Sequence, residues 1–130
     1  MALNGSQQSS TGSLADVTIT DARGSLVGWS VTATMTNLAL AGGGTNSTIQ
    51  ASNMAVSPIC APVSATTGSA TGITAGAASQ AFGGATPVAL CSAAVGEGGG
   101  TYAVDGGLNL TVPATIRSGS YSSTITVLLT

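Results

Sequence analysis

The chain is poor in charge. Its 130 residues contain no lysine and no histidine, and only two arginines, Arg23 and Arg117, stand against four carboxylates, Asp16, Asp21, Glu97 and Asp105. Binding to nucleic acid needs several cations to neutralise phosphates, and the chain cannot supply them. The same shortage excludes docking on anionic lipid through a basic patch. Catalysis loses its usual bases with histidine and lysine, and an abundant serine without a base is a surface serine. Two carboxylates flanking a sugar could still act as a glycosidase pair. Glu97 and Asp105 are the best placed for that, but both sit in glycine-rich turns where acids are common for local reasons. The reading is therefore a protein that is not an enzyme, with no catalytic, cofactor-binding or metal-binding residues.

Aromatic residues are also scarce, at 3%. A core must then be assembled from Val, Ile, Leu, Ala and Met. No apolar run approaches the ~20 residues of a membrane-crossing helix. The start of the chain has neither the basic nor the apolar region of a signal peptide. Residues 1–13 read as a flexible polar lead-in, and 14–130 as a single domain. The two cysteines, Cys60 and Cys91, read as one disulfide formed in an oxidising compartment, with two buried thiols as the other reading.

What is present is alternation. In Asp16–Met35, Val17 and Ile19 alternate with Asp16, Thr18 and Thr20. Trp29, Val31, Ala33 and Met35 then share one face, opposite Ser30, Thr32, Thr34 and Thr36. A period of two marks strands with one buried face, and Trp29, the single tryptophan, is the largest packing unit available to the core. Between the two strands, Asp21 and Arg23 are expected to fix a turn through an Asx-type hydrogen bond and a solvated ion pair. Gly24 lies within that turn and Gly28 opens the second strand.

Further along, Gly42–Gly44 mark a loop, and short strands are expected at Ile49–Ala51, Asn53–Ser57 and Pro87–Cys91. Val63–Gln80 reads as irregular chain with one short strand. Asp105-Gly106-Gly107 is a hairpin signal between Thr101–Val104 and Leu108–Val112. Ser120–Thr130 reads as the longest strand. Tyr121, after a glycine at its start, suits a tyrosine corner, in which the hydroxyl bonds a loop carbonyl; ordinary core packing is the alternative. Tyr102 is the aromatic residue expected to be exposed, and so the possible ligand contact. The fold class is all-β: an antiparallel β-sandwich of about seven to nine short strands.

The segments Val17–Gly24 (VTITDARG) and Gly28–Val31 (GWSV) resemble the first signature of WxL-type bacterial cell-surface domains, especially their actinobacterial relatives. Ile49–Asn53, Leu108–Pro113 and Gly119–Val127 are similar to later parts of that family. Two departures stand out: Val31 occupies the position two after Trp29, and no second tryptophan lies near 101–110. An upstream strand of the relatives has only NGSQQSSTGS in its place. The resemblance implies a secreted, non-catalytic domain at the cell surface, associated with cell-wall polymer or with other surface proteins. The alternative is a structural subunit that forms a homo-oligomer, a fibre or a layer, through open sheet edges left without guarding lysines.

Overall fold

A computed structural model describes residues 1–63 and 71–130. Its strands in chain order are β1 (Gln8–Asp21), β2 (Trp29–Met35), β3 (Leu38–Leu40), β4 (Thr48–Ile49), β5 (Met54–Pro62), β6 (Ile73–Ala75), β7 (Gln80–Ala81), β8 (Val88–Ala93), β9 (Gly100–Val112), β10 (Tyr121–Ser122) and β11 (Ile125–Leu129). A single turn of 3-10 helix, Ala51–Asn53, is the only helix among the described residues. Two four-stranded sheets, ordered β1-β9-β5-β7 and β11-β2-β8-β6, carry the main core between them. A small third sheet, β10-β3-β4, closes one end. All the pairings are antiparallel. The all-β sandwich expected from the alternation is present.

The main core consists of alternate residues from the two sheets. Ile19, Val56, Tyr102 and Val104 come from the first, and Trp29, Val31, Ala33, Val88 and Leu90 from the second. Phe82, just after β7, is buried with them. A bulge in β8 shifts register between Val31 and Thr32, so that the adjacent residues Leu90 and Cys91 are both buried. One extra residue in a strand has this effect, since it lets two neighbours face the same way. Cys91 is thereby aimed across the sandwich at Cys60 of β5, and the two form a disulfide with Cα atoms 5.9 Å apart. A second, smaller cluster, Leu38, Ile49 and Val112, fills the end beneath the third sheet.

Several sequence expectations are corrected. Gln8–Ser13 belong to β1, paired with Gly107–Val112 of β9, so the polar lead-in gives way to a strand at Gln8. The last six residues of the stretch NGSQQSSTGS thus form the first part of β1. Asp105-Gly106-Gly107 is not a turn but the middle of the 13-residue strand β9. The reason lies in β5: a Cβ on Gly106 would sit 2.7 Å from the Ser57 carbonyl oxygen and 3.0 Å from Pro58 Cα. The glycine permits close approach of two backbones rather than a reversal. Ser120–Thr130 divides into β10, paired with β3, and β11, paired with β2. The segment 63–80 contains β6 and the start of β7, while its residues 64–70 lie outside the described residues. Ile49 ends β4, and Ala51 begins the 3-10 turn.

Candidate functional site

The Asp21–Trp29 turn is built as one hydrogen-bonded unit. The Arg23 backbone N–H donates to Asp21 Oδ1 at 3.0 Å, closing the Asx turn. Arg23 Nε and Nη2 also donate to Asp21 Oδ1 and Oδ2, each at 2.9 Å, and Nη2 reaches the Gly28 carbonyl at 3.0 Å. The guanidinium therefore ties the end of β1 to the start of β2. The expected ion pair is present, but it is bidentate and one-sided in exposure: the Asp21 side chain is 4% exposed and that of Arg23 50%. Hydrogen bonds from the Arg23 side chain, then from its backbone N–H, hold the Asp21 carboxyl at about 2, below its usual 3.8. The side-chain hydrogen bonds to Asp21 raise the Arg23 guanidinium above its ordinary value.

Gly28 enters β2 with φ +80°, and a Cβ there would meet the Ala93 carbonyl oxygen at 2.7 Å. Only glycine meets both demands. Trp29 is buried, and its indole N–H donates to the Gly98 carbonyl at 2.9 Å. Tyr102 lies against it, ring centroids 5.3 Å apart at 52°. Tyr102 is fully buried and its hydroxyl donates to the Gly99 carbonyl at 3.0 Å. The expectation of an exposed ligand contact is thereby corrected. Tyr102 joins the two sheets from within, and its place follows from alternation with Thr101 and Ala103. Beside this corner a cleft of about 280 Å³ opens between the edges of the two sheets, lined by Ile19, Thr20, Asp21, Arg23, Trp29 and Leu129 among others.

At the opposite end, the Tyr121 hydroxyl donates to the Arg117 carbonyl at 2.9 Å while its ring packs on the smaller cluster. This is the arrangement of a tyrosine corner. Asp105 shares an open concavity with Asp16, and Glu97 lies against Gly72. Among the described residues no group of three or more Cys, His, Asp or Glu is placed to hold a metal ion.

The outer face of the β11-β2-β8-β6 sheet is regular and rich in hydroxyls. Thr130, Ser30, Ser92 and Thr74 form one rung across it, set by the pairs Ser30–Ser92 and Thr74–Ser92 and by the Ser30–Thr130 hydroxyl contact of 2.8 Å. The next rung is Leu128, Thr32 and Ala89, and the next Thr126 and Thr34. Thr124 and Thr36 continue the pattern, joined through the Thr124 N–H and the Thr36 hydroxyl at 3.0 Å. No charged residue stands on any of these four strands. Alternation in the sequence revealed the hydroxyls of β2 and of β11. It could not reveal that β8 and β6 extend their rung, because strand order is not written in a local pattern.

The family model described as "WxL domain surface cell wall-binding" matches residues 2–130. The chain belongs to the WxL family. The match begins upstream of β1, and all the described strands lie within it. Membership gives the domain a surface-associated role at the cell wall. Comparisons with curated proteins and with solved structures return no match. Among the described residues, no helix is long and apolar enough to cross a membrane.

Proposed function

We propose that this WxL domain holds to the cell wall without catalysis, through a non-ionic contact made by the hydroxyl-covered face of the β11-β2-β8-β6 sheet. Neutral polysaccharide of the wall is its partner. The observation that carries the reading is the set of charge-free rungs headed by Thr130, Ser30, Ser92 and Thr74. Each hydroxyl both donates and accepts, as sugar hydroxyls do. Bridging water extends the reach of such contacts. Leu128, 56% exposed in the second rung, offers an apolar point for the carbon face of a sugar ring. Phosphate-bearing wall polymers call for cations, and the whole chain has two arginines, one of them held by Asp21.

Co-sedimentation with purified cell walls tests the reading. Binding is expected to persist after anionic polymers are stripped and to change little with salt, because screening acts on charge. The double variant Thr34→Glu/Thr126→Glu is expected to lose at least ~10-fold in affinity, the scale of one or two lost hydrogen bonds. Asn109→Glu, on the opposite sheet, is expected to bind as the parent does. No soluble sugar is expected to appear. Retention by the double variant, or release of wall fragments, would sink the proposal.

A further inference from the structure

The first sheet is unfinished along one side. β1 pairs with β9 and with no other strand, and among the described residues no backbone hydrogen bond reaches its outer side. Such an edge presents a row of N–H and C=O groups that only another extended polypeptide matches at strand spacing. The edge is regular where it is least guarded. From Gln8 to Leu14 the register with β9 runs without a break, and the bulge comes only between Leu14 and Val17. These seven residues contain no charge, no proline and no lysine, so the usual devices against pairing are missing.

A second observation concerns the same seven residues. Ser10 and Gly12 stand opposite Leu110 and Leu108, on the side of the sheet that faces the core. Both are nevertheless exposed, because the second sheet does not extend beneath them. They border a concavity of about 170 Å³ with Met54, Leu108 and Leu110. Among the described residues, this part of the strand has neither a neighbour beside it nor a layer beneath it.

We propose that two copies of this chain pair antiparallel along β1, over Gln8–Leu14, about a two-fold axis at Thr11. The sequence is complementary to itself in that register. Thr11 faces its own copy, Ser9 faces the other copy's Ser13, and Gln8 faces Leu14. Residues directly opposite share a face, so Ser9, Thr11 and Ser13 give three hydroxyl pairs on the outer side. Hydroxyl pairs across strands stabilise a ladder, and the protein uses them internally between Thr20 and Thr101 at 3.2 Å and between Ser30 and Thr130 at 2.8 Å. Ser10 meets Gly12 on the inner side, bringing the two concavities together. No like charges oppose each other within the ladder. The bulge beyond Leu14 bends β1 away and ends the pairing. An isologous contact closes on itself, so the product is a pair and not a fibre. A seven-residue ladder is smaller than a standard stable interface, which makes the pair weak and concentration-dependent.

Sedimentation velocity on the full chain, from low-micromolar to millimolar concentration, tests this. The mass is expected to rise from one copy to two and no further. Thr11→Lys/Ser13→Lys is expected to stay at one copy throughout, and Val95→Lys, at an exposed position after β8, to dimerise like the parent. Hydrogen exchange gives an answer independent of any variant: amides of Ser9–Ser13 are expected to slow as concentration rises, while those of β11 do not change. A single-copy mass at every concentration, growth beyond two, dimers that survive the two lysines, or exchange at 9–13 that ignores concentration would each overturn the proposal. None of these readouts involves the cell wall, so wall binding and pairing fail separately.

Discussion

Reduction of the Cys60–Cys91 bridge should lower stability by an amount that follows from its place in the chain. The bridged residues are 31 apart in sequence and join β5 of one sheet to β8 of the other. Closing a loop of that length removes ~3.5 kcal/mol of conformational entropy from the unfolded chain at room temperature. Unfolding entropy near the transition is about 2 cal/mol/K per residue. Applied to 130 residues, the loss corresponds to a fall in Tm of roughly 13 °C. Reduction leaves both sulfurs in place, so no cavity term enters. Cys60→Ala/Cys91→Ala should fall further, because Cys91 is 2% exposed and its sulfur fills core space. Differential scanning calorimetry with and without reductant measures the shift. The entropic account also requires the unfolding entropy to rise on reduction while the enthalpy, compared at one temperature, is unchanged. A shift below ~4 °C, or one carried by enthalpy alone, would refute it, and the bridge would then be a by-product of a sandwich already held by its core.

Two further outcomes follow from the Asp21–Trp29 corner. Trp29→Phe keeps an aromatic ring against Tyr102 but deprives the buried Gly98 carbonyl of its donor; a loss of ~2–3 kcal/mol in urea unfolding followed by circular dichroism is expected, and a loss under ~0.5 kcal/mol would show that the bond does not matter. Asp21 has a folded pKa of about 2, below its ordinary 3.8, so its contribution to stability is complete above 3.8 and is lost as pH falls toward 2. The Tm difference between the parent and Asp21→Asn should accordingly shrink across that window, and a difference independent of pH would be inconsistent with the bidentate pair.

The parts of this fold that were legible in the sequence are those where an apolar residue alternates with a polar one. Trp29, Val31 and Ala33 declare β2 because one face is dry and the other wet. The Asp21–Arg23 turn was legible for a different reason, since its bonds are local and its partners are two residues apart. Gln8–Ser13 had no such signal: the strand is wet on both faces, so it carries no apolar contrast, and only its partner β9 makes it a strand. Tyr102 was misplaced although its parity with Val104 pointed inward. The hairpin expected at Asp105-Gly106-Gly107 lies just beyond it. That hairpin rested on glycine's freedom to turn, whereas Gly106 is there because the Ser57–Pro58 backbone passes too close for a side chain. A single residue type answers two opposite needs, and the distinction depends on a strand some fifty residues away in sequence. The same dependence governs the outer faces. Hydroxyls on β2 are an ordinary solvated strand face until β11, β8 and β6 are placed beside them, and only that order turns scattered serines and threonines into rungs across a charge-free surface.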